Sequence, residues 1–135
     1  MANITQREGF IMEYRRFGNT IYLRLDPKEE ILEEIGKVAK KENIRLAQVT
    51  GLGAINDFTA GVYNTVTKEY HSIQFQGAFE IVSLTGTVTR KDGDVYLHLH
   101  IAAGDEEGHV HGGHLNRDII SATAEIQIQV IDGEI

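Results

Sequence analysis

The sequence predicts an α+β fold, a mostly antiparallel β-sheet with one main flanking helix, built as a single domain over residues 1–135. Three observations predict it. Apolar and polar positions alternate through much of the chain, which is the period-two pattern of half-buried strands. Helical spacing is clear in one segment only, from Ile31 to Ala39. Short polar turns at Gly18-Asn19, Asn64–Lys68 and Lys91-Asp92-Gly93 separate strand-like runs and fold them into hairpins.

In chain order, "FIMEYRRF" and "NTIYLRL" read as two strands across the Gly18-Asn19 turn, with Ile21, Leu23 and Leu25 on one face. The helix follows. Asp26 is its expected N-cap, Pro27 fits the first helical position, and Glu29 sits three residues after the cap. Ile31, Leu32, Ile35, Val38 and Ala39 form its apolar stripe, Lys37, Lys40 and Lys41 suit the negative end of the helix dipole, and Asn43 stops it. "IRLAQVTGLGAI" reads as a strand running into a glycine bend, and "FTAGVYNTVTKEYHSIQFQG" as two strands around a polar turn. A long hairpin spans "AFEIVSLTGTVTRKDGDVYLHLHIAAG". Asp105–Gly113 reads as an acidic, glycine-rich loop. The tail "SATAEIQIQVIDG" alternates cleanly, with Ala122, Ala124, Ile126, Ile128 and Val130 facing one way.

Composition narrows the function. A net charge of −7 opposes non-specific nucleic-acid binding, which depends on Lys and Arg neutralising phosphates. With no cysteine, a bound metal must be held by nitrogen and oxygen. No apolar run has the length of a membrane helix, and "MANITQREGF" lacks the layout of a signal peptide, so a cytoplasmic location without membrane contact is expected.

Five of the six histidines fall in "VYLHLHIAAGDEEGHVHGGHL": His98, His100, His109, His111 and His114. On a strand His98 and His100 share a face with Tyr96 and Ala102, while Val95, Leu97, Leu99 and Ile101 face the core. Their Cβ atoms then stand roughly 6.5–7 Å apart, close enough for two imidazoles to converge on one ion. A third ligand is available from His109, His111 or His114, with Gly108, Gly112 and Gly113 letting the chain turn back. His114 begins an apolar segment, where a ligand can be fixed. His109 and His111 lie inside the expected loop and are expected to be mobile, and His71 stands alone on its strand. The competing reading is a solvent-facing strand with a polar loop beyond it. Glu80 is a weak candidate base or partner to a metal ligand. The Ser83, Thr85, Thr87 and Thr89 hydroxyls read as ordinary strand formers, and "GLGA" at 51–54 is too short for a dinucleotide fingerprint.

Three stretches resemble a known family. "GAFEIVSLTGTV" (77–88) is similar to the Gly-Arg-Phe-Glu-Ile-Leu-Ser-Leu-x-Gly signature of the Plants and Prokaryotes Conserved (PPC) domain. "LHLHIAAGDEEGHVHGGHL" (97–115) resembles its prokaryotic Leu-His-x-His … Gly-Gly-His-Leu segment, and "AQVTGLGAINDFTAGVYN" (47–64) a glycine-containing stretch upstream. The resemblance implies the same α+β fold, of the stand-alone prokaryotic type, assembled as a homotrimer. It matches His98, His100 and His114 to histidines that look like a metal site, and Glu80 to the motif glutamate. Without thiolates such a site is compatible with zinc, nickel, copper or iron, zinc being the first expectation. Plant members bind A·T-rich DNA through a separate arginine-glycine hook, and prokaryotic members are called DNA-binding by analogy. Ala78 replaces the motif arginine here, and these residues contain no such hook.

Two functions follow as expectations. One is a DNA-binding or regulatory module with a histidine metal site. The other is a small metal-dependent hydrolase or ligand-binding protein, with Glu80 or an acidic residue of Asp105–Glu107 as its base.

Overall fold

A computed structural model describes residues 3–6 and 13–135. The elements are β1 (Asn3–Gln6), β2 (Glu13–Phe17), β3 (Thr20–Leu25), α1 (Ile31–Lys41), β4 (Ala47–Asn64), β5 (Glu69–Lys91), β6 (Asp94–Gly104) and β7 (Val110–Val130). All strand pairings are antiparallel, in the order β1-β2-β3-β7-β4-β5-β6, and β6 returns to pair with β7. The expected α+β architecture is present. The first expected strand is seen from Glu13 onward, and its residues 10–12 lie outside the described residues.

The return of β6 to β7 closes β4, β5, β6 and β7 into a ring, which the sequence did not announce. Closure uses only His100–Gly104 against Val110–His114. Beyond the His100–His114 pair the two strands part, and α1 packs against both. Its Gly36 lies near Leu97 of β6, and its first N–H meets Asp118 of β7. The helix buries Ile31, Ile35, Val38 and Ala39 against the sheet. Phe58 centres the other part of the core, stacked on Phe75 at 4.9 Å and edge-on to Phe79 at 5.1 Å.

Long strands replace several of the expected short ones. β4 runs unbroken through the expected glycine bend, and β5 runs through Gly77. Bulges make this possible. In β5 the buried residues are Phe79 and Ile81 before the irregularity at Ile81/Ser83, and Leu84 and Val88 after it. One extra residue moves the core face from odd to even positions. Val110–Gly113 also belongs to β7 and not to a loop, which leaves a tight connection at 105–109.

The helix begins later than its sequence signals imply. Lys28 has a φ of 77°, which breaks any helix started at Pro27. Asp26 to Glu29 forms a turn in which the Asp26 N–H donates to Glu29 Oε1. The N-cap is Glu30, whose carboxylate accepts the N–H groups of Leu32 and Glu33. Tertiary pairing sets this start: the Lys28 N–H donates to the Ile120 carbonyl, and the Ile120 N–H donates to the Glu29 carbonyl.

Asp118 completes the dock. It is fully buried and accepts the Ile31 N–H at 2.9 Å. Burial, and then the Glu30 carboxyl beside it, push its pKa up to about 8. The folded chain therefore holds a proton that the unfolded chain releases near its ordinary value of 3.8. Between those values unfolding releases a proton, so this group's contribution falls as pH rises. Asp118→Asn keeps the acceptor for Ile31 and removes the titration. It should melt above the parent at pH 7.5, with the difference shrinking toward pH 4. A difference in melting temperature independent of pH would sink this account.

Candidate metal centre

The parting of β6 and β7 creates the site. His98 and His100 alternate outward from β6 while Leu99 and Ile101 are buried beneath them. His100 is paired directly with His114, so closure of the ring sets the third imidazole beside the first two. One ring nitrogen from each of His98, His100 and His114 lies within 4.8 Å of the others. Ring centroids are 5.0 Å apart for His98–His100 and His98–His114, and 6.0 Å for His100–His114. His98 and His100 are exposed and His114 is half-buried.

These donors fit a divalent transition metal. Nitrogens at 2.0–2.1 Å from a tetrahedral zinc ion stand roughly 3.4 Å apart, so small rotations of the exposed rings suffice. Burial, and then the neighbouring His98 and His100, lower the pKa of His114. The ring thus stays neutral and keeps its lone pair near neutral pH. Three protein ligands leave a tetrahedral ion one open position.

The other sequence candidates lie elsewhere. His109 is exposed beside Asp105. His111 is anchored, contrary to the expectation that it is mobile: its Nε2 meets Asp105 Oδ2 at 3.0 Å and its ring packs on Phe75 at 4.9 Å. Asp105 also accepts the N–H groups of Glu107 and His109, and these bonds, that of His111 foremost, hold its carboxyl below the usual range. His71 sits beside Glu69. Glu80 pairs with Gly104 and lines a different cleft with Asp105 and Glu106. It is five residues along β5 from Thr85, the partner of His100, roughly 16 Å at the strand rise.

Sequence reading missed what lies around the triad. A cleft of about 590 Å³ is lined by Gly61, Val62, Tyr63, Tyr70, Gly113, Asn116 and the three histidines. A second, of about 410 Å³, lies across His98 and His100, toward Gln48, Thr85 and Thr87. The Tyr70 hydroxyl donates to Asn116 Oδ1 at 2.9 Å, and its ring stands edge-on to His114 at 6.2 Å. Tyr70 lies over Gly61, where any Cβ would collide with the phenol. The available signal was the Asn64–Lys68 turn, which sets Tyr63 opposite Tyr70.

The fold and site define a class: a small antiparallel sheet closed on itself, braced by one helix, with three histidines where the closing strands part. The chain belongs to the Plants and Prokaryotes Conserved (PCC) domain family, whose profile matches residues 12–132. A plant- and prokaryote-conserved (PPC) protein of Pyrococcus horikoshii is 34% identical, with a TM-score of 0.81 over 99% of this chain and 84% of that one. A "putative DNA binding protein" of Bacteroides thetaiotaomicron is 28% identical, with a TM-score of 0.88 over 91% and 86%. A metal-containing protein of Archaeoglobus fulgidus is 28% identical, with a TM-score of 0.81 over 92% and 86%. No curated protein matches the chain. Among the described residues no helix is long and apolar enough to cross a membrane.

Gly112 tests how the site depends on closure. A Cβ there would strike the Ile101 carbonyl oxygen and stand 2.9 Å from the Ala102 Cα. Gly112→Ala should cost about 1–3 kcal/mol by forcing β7 off β6, and should weaken metal-induced stabilisation in the same measurement. Gly133→Ala meets nothing within 4 Å and should change stability by less than about 0.5 kcal/mol in chemical denaturation.

Proposed function

We propose that this chain is a metal-binding PPC module in which His98, His100 and His114 hold one divalent cation, zinc first among them. The observation that carries the reading is the convergence of three imidazole nitrogens within 4.8 Å on paired strands. The Archaeoglobus fulgidus protein, described as metal-containing, supports it. Bound there, the cation would supply a Lewis-acid position open to a water or ligand. Among the described residues no carboxylate lines either cleft around the triad, and Glu80 is remote, so the residues favour ligand-responsive binding over hydrolysis.

The module assembles as a homotrimer in this reading. The sheet face that bears the histidines continues through uncharged rows such as Gln129, Gln48, Thr87 and His98, or Gln127, Thr50, Thr85 and His100. These residues are exposed. A second copy can cover the Gln and Thr part of such a face without stripping water from ions, leaving open the side of the histidines that faces Tyr63 and Tyr70.

Contact with DNA is the second reading, supported by the relative described in those terms. It requires a basic surface on a chain of net charge −7, which makes a regulatory role through partner proteins the stronger form.

Metal analysis of untagged protein should give one zinc per chain. His98→Ala and His114→Ala should lose it, while His109→Ala and His111→Ala should keep it. Retention in the first pair would refute the site. Light scattering should give three times the chain mass, and a monomer would refute the assembly. Fluorescence anisotropy with duplex DNA should show no affinity that falls steeply with salt, and such an affinity would restore direct DNA binding.

A further inference from the structure

Among the described residues, no charged side chain lines the cleft of about 590 Å³ beside the triad. Its volume falls within the range of small-molecule sites, roughly 300–1,000 Å³. Three neutral imidazoles bring no negative charge to a dication, and among the described residues no carboxylate in the cleft lining offsets it. The open position would therefore favour an anionic donor over a neutral one.

The rest of such a ligand would meet different chemistry. Tyr63 and Tyr70 stand directly opposite each other on β4 and β5 and share the cleft with Val62. Tyrosine rings favour a planar apolar body against their faces. Among the described residues no Lys or Arg lines the cleft to pair with a second anionic group. Asn116 sits where the β4–β7 register slips, between the Thr59–Arg117 and Ala60–Leu115 pairs. A bulge of this kind re-aims its side chain. Its Oδ1 is taken by the Tyr70 hydroxyl, which leaves Nδ2 to donate to an acceptor in the cleft.

We propose that the cleft binds a small aromatic monocarboxylate, its carboxylate on the metal and its ring against Tyr63 and Tyr70. The proposal rests on the metal reading above and adds the ligand class. A second carboxylate held away from the metal is disfavoured, because among the described residues no Lys or Arg lines the cleft to pair with it, and a bare phosphate has no ring to set against Tyr63 and Tyr70.

Cobalt(II)-loaded protein separates the two ideas, since its visible spectrum reports coordination directly. Benzoate, acetate and inorganic phosphate serve as probes. Benzoate should perturb the bands with a Kd at least tenfold below those of acetate and phosphate. Tyr63→Ala should keep the cobalt stoichiometry and the bands of the ligand-free protein, yet bring benzoate within about twofold of acetate. Equal binding of benzoate and acetate, tighter binding of phosphate, or an undiminished preference in Tyr63→Ala would overturn the ligand class and leave the metal site standing. Absence of protein-bound cobalt bands would overturn the metal reading and the proposal with it.

Discussion

The rest of the structure depends on one short pairing, His100–Gly104 of β6 against Val110–His114 of β7. It gives the closing strands two neighbours each over this span, and so removes the free edge that an open sheet would expose there. It ends at His100–His114, and the strands then separate around the helix. The pairing therefore sets the ring, the seat of α1 and the meeting of the histidines together. Gly112 is the sequence cost of this arrangement, because the backbone of Ile101 and Ala102 occupies the space of its side chain.

The two sides of the sheet treat charge in opposite ways. At the helix, carboxyl groups are gathered: Glu30 caps the first turn, and buried Asp118 takes the Ile31 N–H. Backbone N–H groups and the positive end of the helix dipole make that tolerable, and a retained proton does the remainder. On the outer side, no carboxylate among the described residues lines the clefts at the triad. Asp57, half-buried on that side, is already engaged by Arg117, Gln74 and Gln76. The hydrogen bond from Gln74 contributes most to holding Asp57 below the usual carboxylate range.

What was legible in the sequence follows the range of the interaction that encodes it. The α1 stripe and the shared face of His98 and His100 are periodicities within one segment, and both appear as read. The Lys91-Asp92-Gly93 hairpin is local chemistry, with φ of 52° and 86° at its last two residues. The helix start was misread because Asp26, Pro27 and Glu29 satisfy the local capping pattern, while contacts to Ile120, some ninety residues away, decide the outcome. The lengths of β4 and β5 were hidden by bulges that reset the alternation. Ring closure left no local mark except glycines, which served equally well as loop signals. His114 was favoured in the sequence because it begins an apolar segment, and the family resemblance matched it, while its pairing with His100 is the physical reason.

Placement also bears on the choice between binding and turnover. A hydrolytic centre needs the metal and a proton acceptor at one substrate, within hydrogen-bond reach. The motif glutamate, Glu80, points into a cleft with Asp105 and Glu106, roughly 16 Å along β5 from the row of His100. The bulge at Ile81/Ser83 lies between them, so neither a register slip nor a rotamer change joins the two. With a metal bound, the cluster would have the electrophile of a hydrolase without, among the described residues, a carboxylate base beside it. Around it stand two tyrosines, an asparagine and glycines, groups suited to holding a ligand in place.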